Sequence, residues 1–181
     1  MPERFDENEW FLLAVDALMW ALILLLPKRL SPATVIMIWV LNVALATFSD
    51  FLIGKKPVEL YSYNDTSKYE WTDVLLYLFT YPPSCYFLLL IYDRFKSRFE
   101  HRLPLLFGYL VAWALLTTGL ERLADQFHVF TYKGWKLAYS FPVYFAVYAI
   151  NIGIYYLVRH SRLWRSGPGI GAEHLQGDRA E

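Results

Sequence analysis

The sequence predicts an all-α integral membrane protein, a bundle of about five transmembrane helices with the third kinked at Pro82-Pro83. Three observations carry that expectation. Hydrophobic residues make up 56% of the 181 positions and aromatic residues 19%, more than one soluble core of this size needs. The apolar residues arrive in blocks, 10–26, 33–53, 74–92, 103–120 and 137–158, each near the roughly 20 residues that span a bilayer core. Charge is informative only by location, because 17 basic and 17 acidic residues cancel and leave no field that would draw nucleic acid. Residues 1–160 are read as one transmembrane domain and 161–181, poor in apolar residues, as a disordered cytoplasmic tail.

The first block follows Glu3, Asp6, Glu7 and Glu9, set against Arg4 alone. A secretory signal opens with the opposite charge, so this block is expected to remain as a helix. Trp10 stands where an interfacial aromatic anchors a span, and Pro27-Lys28-Arg29 ends it. Asp16 lies roughly 9 Å further along the helix than Trp10, a depth at which a carboxylate must face the bundle, a partner or water. It either belongs to a polar cavity or hydrogen-bonds to a neighbouring helix.

In the second block Asn42, Ser49 and Asp50 share one helical face, which should look into the bundle. Asn42 reads as interhelical glue, whereas Asp50 lies near the membrane boundary. The connection that follows, residues 54–73, carries Tyr61, Tyr63, Tyr69 and Trp71 and ends at Asp73. So aromatic a loop is expected to lie at the interface or over the helix ends.

Pro82 and Pro83 remove two helical donors from the third block, which predicts a break or kink. Cys85, the lone cysteine, excludes an intramolecular disulfide and a cysteine-based zinc site. Residues 93–102 form a short basic connection with Arg94, Lys96, Arg98 and Arg102. In a five-span chain the segments on that side, counted as far as Arg165, hold nine basic residues against seven on the other, and the connections there are much shorter. The N-terminus is therefore placed outside and the C-terminus in the cytoplasm.

This topology brings Asp50, Asp73, Glu121 and Tyr139 to one membrane face. If the fourth helix continues past Leu120, then Glu121, Asp125 and His128 share a stripe that could hold a divalent ion, act in acid/base chemistry or bind a cationic headgroup. The fifth block adds Tyr144, Tyr148, Asn151 and Tyr155 as a polar-aromatic stripe facing the other helices. No HExxH, Gly-rich phosphate loop or GxSxG elbow is present, so no motif points to a cofactor or a reaction.

Glu121, Trp135 and the run Tyr139-Ser140-Phe141-Pro142-Val143-Tyr144 follow Asp50, Tyr61-Ser62-Tyr63, Asp73 and Pro82-Pro83. In that order the chain resembles a family of small multi-pass membrane proteins from endospore-forming Gram-positive bacteria, over residues 33–150. The resemblance implies a bacterial cell membrane and no assigned activity. A fainter similarity, through Tyr61-Ser62-Tyr63 and Asp73, is to lycopene cyclase-type membrane domains. That family's proline-leucine-paired-glutamate motif is absent, and Glu70-Trp71-Thr72-Asp73 spaces its acids differently.

Three functions remain open on these residues. The first is a non-enzymatic membrane protein that binds a lipid, ion or partner protein, a second copy included, at an acidic and aromatic outer face. Asp16, Asp50, Asp73, Glu121, Asp125, His128, Trp135, Tyr139 and Tyr144 are its candidate ligand-binding residues. The second is a membrane enzyme acting on an isoprenoid-like substrate with Asp50, Asp73 and Glu121 as acid/base groups. The third is a small oligomeric transporter using Asp16 and the broken third span.

Overall fold

A computed structural model describes residues 6–54, 58–63 and 71–161. The expectations for the 162–181 tail and for residues 64–70 of the aromatic connection lie outside these residues. Among the described residues, five helices are long and apolar enough to cross a membrane. The first, α1 (Glu7–Leu25), is started by a capping box: Asn8 N–H donates to the Asp6 side chain at 3.2 Å, and Asp6 N–H to Glu9 Oε2 at 3.0 Å. Next, α2 (Pro32–Ser49) starts where Ser31 Oγ accepts the Thr34 N–H, with Pro32 in the first turn. It runs on through a π-helical turn, Asp50–Gly54.

The third span is one 30-residue helix, Trp71–Glu100, made of α3 (Trp71–Leu75), a π-helical turn Leu76–Thr80 and α4 (Tyr81–Glu100). It does not end at Tyr92. The basic stretch after it holds no glycine or proline, and its helix continues, tied back by Tyr155 donating to Asp93 Oδ1 at 2.5 Å. The last two spans are α5 (Leu103–Gln126) and α6 (Leu137–His160). Between them β2 (Phe130–Tyr132) pairs antiparallel with β1 (Tyr61–Tyr63).

The break at the prolines has a specific repair. A regular helix would send N–H groups from positions 82 and 83 to the carbonyls of Leu78 and Phe79, and proline has none to send. Instead the Trp39 indole donates to Leu78 O at 3.1 Å, and the Trp20 indole to Phe79 O at 3.3 Å. The π-helical turn ends at Thr80, one residue short of Pro82, and the two prolines then sit in the first turn of α4. Orphaned carbonyls are costly in lipid, so replacing either tryptophan by phenylalanine should lower the unfolding free energy by about 1 kcal/mol. Denaturant titration in mixed micelles measures this; unchanged stability in both variants would mean that these bonds are dispensable.

The third span is the central one, with half of its apolar window buried, far more than in any other. Ile38 of α2, Leu88, Leu89 and Tyr92 of α4, and Tyr148 and Tyr155 of α6 form the main core. The tyrosine stripe of α6 faces the other helices, as its spacing predicts: Tyr148, Asn151 and Tyr155 are all buried. Asn151 meets Asn42 there in a reciprocal amide pair, 2.8 Å and 3.1 Å, and the Cys85 thiol donates to Asn42 Oδ1 at 3.1 Å. Outside, the spans are apolar all round: Leu25, Leu103, Leu24 and Phe51 are each at least 70% exposed. Such a surface suits hydrocarbon rather than water.

Candidate functional site

The two carboxylates nearest the centre of the site come from helix ends. Asp50 opens the π-helical turn at the end of α2 and is buried. Its Oδ1 accepts the Tyr61 hydroxyl at 2.6 Å, and its Oδ2 accepts the Tyr77 hydroxyl from the opposing π-helical turn. Both oxygens are thus engaged by phenols. Space at this turn is tight: a Cβ on Gly54 would lie 3.1 Å from the Tyr61 ring and 3.5 Å from Asp50 Oδ1, so the ring would have to give by a few tenths of an ångström.

Glu121 lies near the end of α5, which continues helically to Gln126, since ERLADQ contains no glycine or proline to stop it. Its Oε1 accepts two hydroxyls, Tyr132 at 2.6 Å and Ser140 at 2.7 Å. The Ser140 oxygen in turn accepts the Trp135 indole N–H at 2.9 Å, so Trp135 supports Glu121 through Ser140. Glu121 is 8% exposed, yet its Oε2 makes no hydrogen bond within the protein. Burial and the nearby carboxylate push the Tyr132 phenol above its ordinary range, so it stays a donor at neutral pH.

The short strands act as a roof that carries one phenol to each acid. Tyr61 and Tyr132 are register partners across the β1–β2 pair. Tyr61 reaches down to Asp50 and Tyr132 to Glu121. Three successive amides, Lys133, Gly134 and Trp135, donate to the Leu60 carbonyl at 2.8, 2.9 and 3.0 Å, and Lys133 pairs with Glu59. The Tyr61 and Trp135 rings meet edge to face, 5.9 Å apart. The chain enters β2 through a C-cap in which Val129 N–H reaches Ala124 O and His128 N–H reaches Asp125 O, both at 3.1 Å. His128 takes the left-handed position of that cap, with φ 58°.

Beneath the roof lies a cavity of about 130 Å³, walled by α2, α4, α5 and α6. Asp50, Glu121, Trp135 and Tyr144 all line it, so four of the sequence-predicted residues do converge. The amide pair of Asn42, with Cys85 beside it, borders the same space. The remaining candidates stand elsewhere. Asp73 is buried in the first turn of α3, close enough to Tyr77 for electrostatic interaction but outside the lining. Asp16 is buried against the third span, its Oδ1 accepting the Thr80 hydroxyl at 2.7 Å.

Asp125 turns to Arg122 in an ion pair of 2.7 Å, and Tyr139 is half exposed beside Trp135. The helical stripe of Glu121, Asp125 and His128 ends early because α5 stops at Gln126 and His128 belongs to the cap. Among the described residues no three His, Cys, Asp or Glu side chains group as a metal site requires.

Sequence reasoning missed Tyr77, Tyr132 and Ser140 as partners of the acids. A signal existed for Ser140, which extends the Tyr144, Tyr148 stripe by one turn toward the roof. Tyr77 likewise stands one turn beyond Asp73. Nothing in helical spacing points to Tyr132, which sits on a three-residue strand.

Fold and site together define an all-α membrane bundle with a roofed, acid-bearing cavity. No protein-family model, curated protein or solved structure matches the chain.

Proposed function

We propose that this chain is a multi-pass membrane binding protein that takes a small amphipathic ligand into the roofed cavity and holds the ligand's polar end at Glu121. One observation carries the reading. A carboxylate oxygen is buried at the wall of a cavity of about 130 Å³ with no hydrogen bond from the protein, while its twin oxygen has two. A buried acceptor left unmatched is costly, and such atoms in native structures call for a partner. The rest of the lining is mostly aromatic and aliphatic, which suits the apolar part of a ligand.

The roofed end is assigned to the outer face of a bacterial cell membrane. The density of basic residues in the short connections supports that orientation, and the family resemblance supports the bacterial setting.

Native mass spectrometry of protein extracted gently from its own membrane tests the reading. The wild-type chain should carry a small molecule in stoichiometric amount, and Glu121→Gln should lose it while remaining folded. A wild-type chain free of small molecules but bound to a second copy or another subunit would replace this reading with an assembly role.

A further inference from the structure

Resting on that reading, we infer that the polar end of the ligand is a primary ammonium group carried on an apolar body, without an attached phosphate. The inference comes from the chemistry of the lining. Asp50 and Glu121 both border the cavity, and among the described residues that line it there is no lysine, arginine or histidine. The cavity therefore favours a cation and opposes an anion. A zwitterionic phospholipid headgroup would bring a phosphate to two carboxylates with no basic side chain to receive it.

The geometry then separates one kind of cation from another. Asp50 already accepts one phenol on each oxygen, so its charge is felt in the cavity but its lone pairs are largely used. Glu121 Oε2 makes no hydrogen bond within the protein; the Tyr144 phenol lies near this carboxylate, and an N–H or O–H donor from a ligand would complete it. A quaternary ammonium has a charge but no hydrogen to donate. An alcohol has the hydrogen but no charge. A primary ammonium supplies both, and hydrogen bonds between ionised partners are about twice as strong as neutral ones.

Tyr144 and Trp135 border the same space and supply aromatic surface for the carbon atoms behind the cation. A cavity of about 130 Å³ is in the size class that accepts one benzene-sized group.

The test uses the full chain in detergent micelles and three probes of one shape: benzylamine, benzyl alcohol and benzyltrimethylammonium. Binding is read by isothermal titration below the amine's pKa, for wild type and Glu121→Gln. Benzylamine should bind wild type about ten- to hundredfold more tightly than Glu121→Gln, and the other two probes should differ between the two proteins by about threefold or less. Glutamine keeps an acceptor for Tyr132 and Ser140, which favours folding. Should it fail to fold, Glu121→Asp retracts the charge by one methylene, and should weaken benzylamine binding at least about tenfold.

Equal binding of the primary and quaternary ions would overturn the inference, because charge and aromatic surface alone would then explain it. Glu121-dependent binding of the alcohol but not of the amine would also overturn it, and would leave the cavity reading standing. If no probe depends on Glu121 and the native ligand is likewise retained by Glu121→Gln, both readings fall together.

Discussion

Tyr61→Phe and Tyr77→Phe in one chain are expected to lower the unfolding free energy by about 3–5 kcal/mol. The phenols approach Asp50 from different elements, Tyr61 from β1 and Tyr77 from the π-helical turn before α4, and take one oxygen each. Each bond to a charged acceptor contributes about 1.5–3 kcal/mol, more than a neutral pair would. Removing both hydroxyls leaves the acid in place but strips two of its donors, which is costlier than never having buried it.

The single variants should each fall by roughly half as much. Adding Asp50→Leu to the double variant should restore a substantial part of the loss, because the buried charge stripped of these two donors is gone. Denaturant titration in mixed micelles followed by tryptophan fluorescence measures all four chains. A double variant within about 1 kcal/mol of wild type would show that other groups hold Asp50.

The second large effect concerns the amide pair at the floor of the cavity. Asn42 and Asn151 bond to each other twice, and each also donates to a carbonyl of its own helix, Ile38 at 2.8 Å and Val147 at 2.9 Å. The pair joins α2 to α6, and the Cys85 thiol adds α4. Replacing one asparagine by leucine leaves the other amide buried without its interhelical partner, at a cost of about 2 kcal/mol. Replacing both removes the unmatched groups as well. The double variant should therefore be no less stable than the worse single variant, and a double-mutant cycle should give a coupling of about 1–2 kcal/mol. Strict additivity in that cycle would mean the two amides act independently.

The spans were legible because hydrophobic block length is a direct consequence of bilayer thickness. Their ends were less so. Asp93 and the basic residues after it look like a connection by charge, yet nothing in them stops a helix, and α4 runs on to Glu100. The same holds for α5, which carries Glu121 one full turn before its end. The proline pair announced a break, but not its repair by Trp20 and Trp39, since those residues lie on two other helices and only packing brings them to Leu78 and Phe79.

The acids show the same division. Asp50 and Glu121 could be placed in one layer by topology alone, while Asp125 was drawn to them by helical spacing and is claimed instead by its neighbour Arg122. What joins the two acids is a pair of three-residue strands about seventy residues apart in the sequence. Neither strand is long enough to leave an alternating pattern in the sequence.

That strand pair has one productive register. Side chains on a strand alternate between faces, so a slip of one residue turns every one of them over. Tyr61 and Tyr132 are register partners, and each secures a different acid. A one-residue slip of either strand against the other would turn its phenol away from its acid. A two-residue slip would restore the face but carry the phenol roughly 7 Å along the strand, past the carboxylate it serves. The register of the two strands, rather than the length of the connections, is what both acids depend on, and it couples parts of the sequence about seventy residues apart.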